Sequence, residues 1–268
     1  MCLAAFALNV HPAYPLVMAA NRDESFARAA APMAWWHDDA DILAGRDLSA
    51  GGTWFGLTRQ GRLALLTNVR EPGRQNPTAP TRGTLVLRWL HSHDEAAAFA
   101  QALPAGFNGF NLVTADMSRG QWHWISNRAS ATPVALGAGI HTLSNAALDT
   151  PWPKTTGLRT AMADALMQAT GTRDLTQRLL AALADDRPAA DADLPDTGVG
   201  LTRERQLSPR FIRIPADDAP ARAVYGTRCA TVLIRQADGT THVVERSVDA
   251  DGHWMAPVTH RLPAWPPA

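Results

Sequence analysis

Two cysteines are too few for a disulfide framework in 268 residues, and this usage points to a reducing compartment. Charge of one sign is also missing: 25 Lys and Arg balance 25 Asp and Glu. No basic face is implied, so a nucleic-acid or anionic-membrane partner has no electrostatic support. No apolar run reaches the roughly 20 residues required to span a bilayer. The apolar start, Met1 to Val10, lacks a positively charged leader and is broken at His11-Pro12, so it does not read as a signal peptide. A cytoplasmic protein with no integral membrane segment and no nucleic-acid partner is expected. Its oligomeric state is left open.

Cofactor signatures are scarce as well. There is no Cys-x-x-Cys-His haem attachment sequence. His91, His93 and distant His123 do not fit zinc spacing. His37-Asp38-Asp39 with Asp41 reads as an acidic loop rather than a hard-metal site. Gly51-Gly52-Thr53-Trp54 precedes a strand and not the helix a phosphate loop requires. No metal or organic cofactor is expected.

Hydrophobic content of 46% supplies a core, and the patterning is mostly that of hairpins. Residues 2–9 and 14–21 flank His11-Pro12-Ala13. Residues 42–45 form a short strand, and 53–58 and 62–67 flank Gln60-Gly61. Residues 110–115 and 122–126 are joined at Ser118-Arg119-Gly120. Residues 223–236 and 241–247 flank Ala237-Asp238-Gly239, a hairpin turn signal. Helices are expected over 84–90, from Ser92-His93-Asp94-Glu95 as a capping box to Leu103, and over 157–169 and 173–185. Residues 185–200 read as an exposed loop and the tail 262–268 as irregular. Strand and helix do not alternate as a parallel sheet demands. The expected class is α+β: an αββα sandwich of two mostly antiparallel sheets flanked by helices, in one domain spanning 1–268.

Chemistry centres on Cys2. Removal of Met1 would leave one residue with a free α-amine, of pKa about 7.7–8.0, and a thiol near 8.5. An amine that takes a proton from an adjacent nucleophile is the N-terminal nucleophile strategy. The alternative is a small apolar residue opening a strand. Asn21-Arg22-Asp23-Glu24 ends the second strand, and the hairpin returns it close to Cys2. There Arg22 would favour thiolate and Asp23 could hold the amine; the alternative is a turn with a surface ion pair. Asn68 and Asn145 each follow an apolar strand, where an amide could face an oxyanion or simply make a turn. Arg228 stands just inside an apolar strand, where it needs a partner or a role. Trp35, Trp36, Trp54, Trp122 and Trp124 either line an apolar pocket or pack the core.

Taken together these stretches resemble the NRDE family, also called the transport and Golgi organisation protein 2 family. The resemblance is carried by Met1-Cys2, Asn21-Arg22-Asp23-Glu24, Leu43-Ala44-Gly45-Arg46-Asp47, Gly51-Gly52-Thr53-Trp54, Leu66-Thr67-Asn68-Val69-Arg70, Phe110-Asn111-Leu112-Val113, Leu143-Ser144-Asn145, Pro151-Trp152-Pro153-Lys154 and Tyr225-Gly226-Thr227-Arg228. A remoter resemblance is to the N-terminal nucleophile hydrolases of the cholylglycine hydrolase and penicillin V acylase group. That group usually places its Arg three residues before its Asp, whereas Arg22 immediately precedes Asp23. The second resemblance implies catalytic roles for Cys2, Arg22, Asp23, Asn68, Asn145 and Arg228, and hydrolysis of a linear amide or related acyl bond in a small-molecule substrate. The alternative it leaves is a non-enzymatic trafficking protein on the same scaffold that binds haem non-covalently or an acyl-lipid ligand.

Overall fold

The computed structural model describes residues 2–218 and 223–267. In chain order its elements are β1 (Cys2–His11), β2 (Tyr14–Ser25), β3 (Ala30–Trp35), β4 (Ile42–Asp47), β5 (Phe55–Thr58), β6 (Arg62–Asn68), α1 (Gly83–His91), α2 (Ala96–Gln101), β7 (Phe110–Asp116), β8 (Gln121–Ser126), β9 (Ser130–Ala135), β10 (Gly139–Leu143), α3 (Pro153–Gln168), α4 (Thr172–Leu183), α5 (Leu201–Gln206), β11 (Arg213–Ile214), β12 (Tyr225–Arg235), β13 (Thr241–Ser247) and β14 (Val258–Leu262). They fall into two compact units. One comprises Met1–Ala27, Ala138–Ser144 and Leu148–Pro263; the other Arg28–Gly137, Asn145–Ala147 and Ala264–Ala268.

The first unit is built on an antiparallel sheet ordered β10-β1-β2-β12-β13-β14, with β11 paired to β12. Leu3 through Ala7 and Leu16 through Ala19 are all buried, so β1 and β2 are covered on both faces. This is why they read as continuous apolar runs rather than alternating ones. On one face Leu3, Ala5, Ala7, Val17, Ala19, Ala230, Val232 and Ile234 meet Leu158, Met162 and Ala165 of α3 and Leu175, Leu179 and Leu183 of α4. Pro153 occupies the first turn of α3, where its missing N–H costs nothing and its fixed φ suits the helix.

The second unit is an antiparallel meander, β3-β4-β5-β6-β7-β8-β9. Ile42, Ala44, Ala64, Leu66, Leu112 and Ile125 pack against Leu85, Val86, Trp89 and Leu90 of α1 and Phe99 of α2. Trp265 is buried here, and its Nε1 donates to the Thr58 carbonyl at 2.7 Å.

The α+β class, with two antiparallel sheets flanked by helices, is as expected. Details differ. Ser92 does not cap a helix start; it ends α1, and its Oγ accepts the Asp94 N–H at 2.9 Å. α2 therefore covers only Ala96–Gln101. α3 begins at Pro153, four residues before the expected 157. The apolar strand expected before Asn145 is β10, whereas β3, β9, β11, β14 and α5 are additional elements. The 185–200 loop holds a single 3₁₀ turn, Asp191–Asp193. No helix among the described residues is long and apolar enough to cross a membrane.

Candidate active site around Cys2

Cys2 opens β1 and lies opposite Arg22 in the β1–β2 ladder. Arg22 in turn lies opposite Cys229 on β12, and Asp23 opposite Thr227. Consecutive residues of β2 thus face residues two apart on β12, which makes Arg228 the extra residue of a bulge. Side chains alternate across a sheet. Leu3, Val17 and Ala19 point to the helices, so Asn21, Asp23 and Thr227 share that face. Cys2, Arg22 and Cys229 share the other. The Asp23 carboxylate and the Cys2 thiol leave the sheet on opposite sides, with the backbone nitrogen of Cys2 between them.

The four residues of the Asn-Arg-Asp-Glu motif do different work. Asn21 is buried and donates through Nδ2 to the carbonyls of Leu183, at 2.9 Å, and Arg210, at 2.8 Å, tying the sheet to the end of α4. Arg22 is buried beside Cys2. Asp23 is 1% exposed and accepts the Thr227 hydroxyl at 2.8 Å. Glu24 accepts the N–H of Ser25 at 2.8 Å.

Burial pushes the Cys2 thiol above its ordinary value, and the Asp23 carboxylate adds to the rise. The Asp23 N–H at the sulfur and the Arg22 guanidinium pull the other way. The thiol therefore rests neutral and needs a base. Burial likewise raises Asp23, while the chain's N-terminal ammonium, then Lys154 and the Thr227 hydroxyl, oppose the rise. Arg228 donates to the Ser25 carbonyl at 2.7 Å and lies 4.6 Å over the Phe26 ring. Burial and repulsion from Arg22 lower its pKa. Arg228 is thus close enough to Arg22 for the two guanidinium charges to repel. Cys229 is buried, and burial together with Glu245 drives its thiol well up, as befits an inert packing residue.

Asn68 and Asn145 lie together in the second unit. Asn145 is 1% exposed and directs Nδ2 to the Asn68 backbone carbonyl at 3.0 Å and to its Oδ1 at 3.1 Å. Asn68 Nδ2 has a long 3.4 Å contact to the Val69 carbonyl. Of the two, Asn68 is the less committed donor and Asn145 its support.

Three residues in the first unit were not singled out from the sequence for a role. Thr227 fixes Asp23. Ser144 donates to the Cys2 carbonyl at 2.9 Å and so holds the strand start. Lys154 is 4% exposed in the first turn of α3, and its charge acts on Asp23. A signal for it was present, because it is the only lysine in the chain.

The profile of the Transport and Golgi organisation 2 family matches residues 1–250. The chain belongs to that family. It is 35% identical over 263 residues to the bovine Transport and Golgi organization protein 2 homolog, covering 92% of this chain and 93% of that one. To the human homolog it is 32% identical over 270 residues, covering 95% and 96%. Among solved structures, a Caenorhabditis elegans N-acylethanolamine-hydrolyzing acid amidase ortholog aligns with TM-score 0.46 at 12% identity, over 87% of this chain and 92% of that one. A mutant conjugated bile acid hydrolase from Clostridium perfringens aligns with TM-score 0.42 at 8% identity, over 97% and 96%. Scores this low decide nothing about chemistry.

Proposed function

We propose that this family member is an N-terminal cysteine hydrolase acting on a linear amide or related acyl bond. The observation that carries the proposal is the setting of Cys2: first in its strand, Arg22 opposite, the Asp23 N–H at its sulfur. A neutral, half-buried thiol calls for a general base, and the α-amine freed by loss of Met1 is bonded to the same residue, with an intrinsic pKa of about 7.7–8.0. The amine takes the thiol proton as sulfur attacks the acyl carbon. It returns that proton to the leaving amine as the C–N bond breaks, and water then cleaves the thioester. Asp23 orients the α-amine. Arg22, backed by Arg228, favours the developing thiolate. The test is hydrolysis of a panel of N-acyl amides by Met1-free protein. Turnover of one of them, lost in Cys2→Ala and in Asp23→Asn, supports the proposal; turnover unaffected by Cys2→Ala contradicts it.

A second reading, a carrier, draws on the second unit. A cavity of about 670 Å³ there is lined by Leu103, Phe107, Phe110 and Ile125, with Arg128. Its described lining offers no His, Cys, Met or Tyr to ligate haem iron, which favours an acyl chain over haem as occupant. None of Trp35, Trp36, Trp54, Trp122 and Trp124 lines it; Trp36, Trp122 and Trp124 are buried in the packing. Under this reading saturable acyl binding is indifferent to Cys2→Ala.

A further inference from the structure

Lysine is almost absent: of 25 basic residues, all but Lys154 are arginine. The two cations are not interchangeable. An ammonium is a compact point charge, whereas a guanidinium is a wide planar fork. A chain that uses arginine elsewhere has an ammonium at one place, and that place is costly. Lys154 is 4% exposed, and burying a charge is expensive without a counter-charge. It also stands in the first turn of a 16-residue helix with no acid there, at the end where the helix dipole disfavours a cation.

The neighbouring charges show which group offsets this cost. Lys154 lines a cavity of about 390 Å³ with Gly157, Asp185, Arg187 and Arg210. Asp185 is already engaged by Arg187, at 2.8 Å, and by Arg210. Arg210 lies so close to α3 that a Cβ on Gly157 would meet its Nη1 at 2.7 Å. The acid of the cavity is thus shared by its two arginines. Lys154 precedes Leu158 by one helical turn, and Leu158 packs on the sheet face from which Asp23 projects. Lys154 is accordingly on the carboxylate's side of the sheet.

We propose that Lys154 is a positioning residue whose ammonium keeps the Asp23 carboxylate ionised for its work on the Cys2 α-amine. The inference rests on the N-terminal-cysteine proposal and adds a residue to it. The groups that bear on Asp23 are the chain's N-terminal ammonium, Lys154 from α3, the Thr227 hydroxyl from β12, Glu24 from β2 and the Cys2 thiol from β1. Beyond Lys154 lie Asp185, Arg187 and Arg210. Among these, Lys154 is the side-chain cation on Asp23's own face of the sheet.

Two experiments test it. Because the chain has one lysine, lysine labelled with ¹³C at Cε gives a single side-chain signal by NMR. Its titration midpoint falls by about one pH unit or more in Asp23→Asn if the two charges are paired; an unchanged midpoint overturns the proposal. This readout survives in Cys2→Ala, so it stands apart from the hydrolase proposal. In Met1-free protein, the pH–rate profile for alkylation of Cys2 is then compared with that of Lys154→Met. The expected result is an ascending limb displaced to higher pH by about one unit, with the high-pH rate recovered. A profile identical to wild type, or a uniform loss at every pH, overturns the positioning role.

Discussion

Arg22 lies directly opposite Cys2 in the first hairpin of the chain, and both side chains leave the sheet on the same face. The guanidinium lowers the cost of the thiolate but does not outweigh burial, which holds the thiol above its ordinary value.

The reactivity of Cys2 should therefore depend on processing. With Met1 retained, alkylation by iodoacetamide at pH 7 should be slower than that of free cysteine and should keep rising beyond the ordinary thiol range. Loss of Met1 should raise the neutral-pH rate by about tenfold or more, since proton transfer to a positioned base contributes on the order of 10²–10⁴. Rates followed by mass spectrometry across pH 6–10 check both statements.

Thr227 supports Asp23 twice over. Its hydroxyl donates to Asp23 at 2.8 Å, and its Oγ1 accepts the Ile212 N–H at 2.9 Å. Thr227→Val leaves a buried carboxylate oxygen and a buried N–H without that partner, at a cost of about 1–3 kcal/mol. It should also raise Asp23 further, and in Met1-free protein, where the ionised carboxylate holds the α-amine, displace the ascending limb of Cys2 alkylation to higher pH. Thr227→Ser should restore both, measured by chemical denaturation and by the profile.

Gly226 has no room for a side chain. A Cβ there would meet the Ile212 carbonyl oxygen at 2.2 Å, and that neighbour is backbone in the strand pair that holds Thr227. Gly226→Ala should destabilise the protein by about 3 kcal/mol. Denaturant titration checks the value, with Gly139→Ala as an uninformative comparison because its φ of 146° adds backbone strain of a different kind.

Asp185 gives an acid-stability signature. Hydrogen bonding to Arg187 holds it down to about 2. A carboxyl whose folded value is depressed contributes stability above its unfolded value near 3.9 and loses it as pH falls towards the folded value. Arg187 is mostly exposed, so screening reduces the contribution to about 1–2 kcal/mol. Stability should fall between about pH 4 and pH 2, and Asp185→Asn should flatten that stretch of the curve.

The hairpins were legible because their turns are: His11-Pro12-Ala13, Gln60-Gly61 and Ala237-Asp238-Gly239 each stand between apolar runs. β3 was hidden by Pro32 and β9 by Pro133, residues that usually argue against a strand. β14 flanks the sheet of the first unit, where fewer buried positions are needed to hold a strand. α3 was placed late because the start signal is Pro153 at the first turn, ahead of the apolar spacing that begins at Leu158. Of the site, Cys2, Arg22 and Asp23 could be brought together by a single hairpin. Arg228 needed the bulge, which shifts it out of register. Lys154 needed the packing of α3 on the sheet, a contact with no local trace beyond the rarity of lysine.

The central claim is that sulfur at the start of the processed chain is the attacking group. Intact-mass analysis before and after treatment with a stoichiometric activated acyl ester tests it most directly. The account predicts a mass lacking Met1, a single acyl adduct on Cys2 formed within minutes, and no adduct in Cys2→Ala. A purified chain that retains Met1, or one that loses Met1 and takes up no acyl group at Cys2, would contradict it.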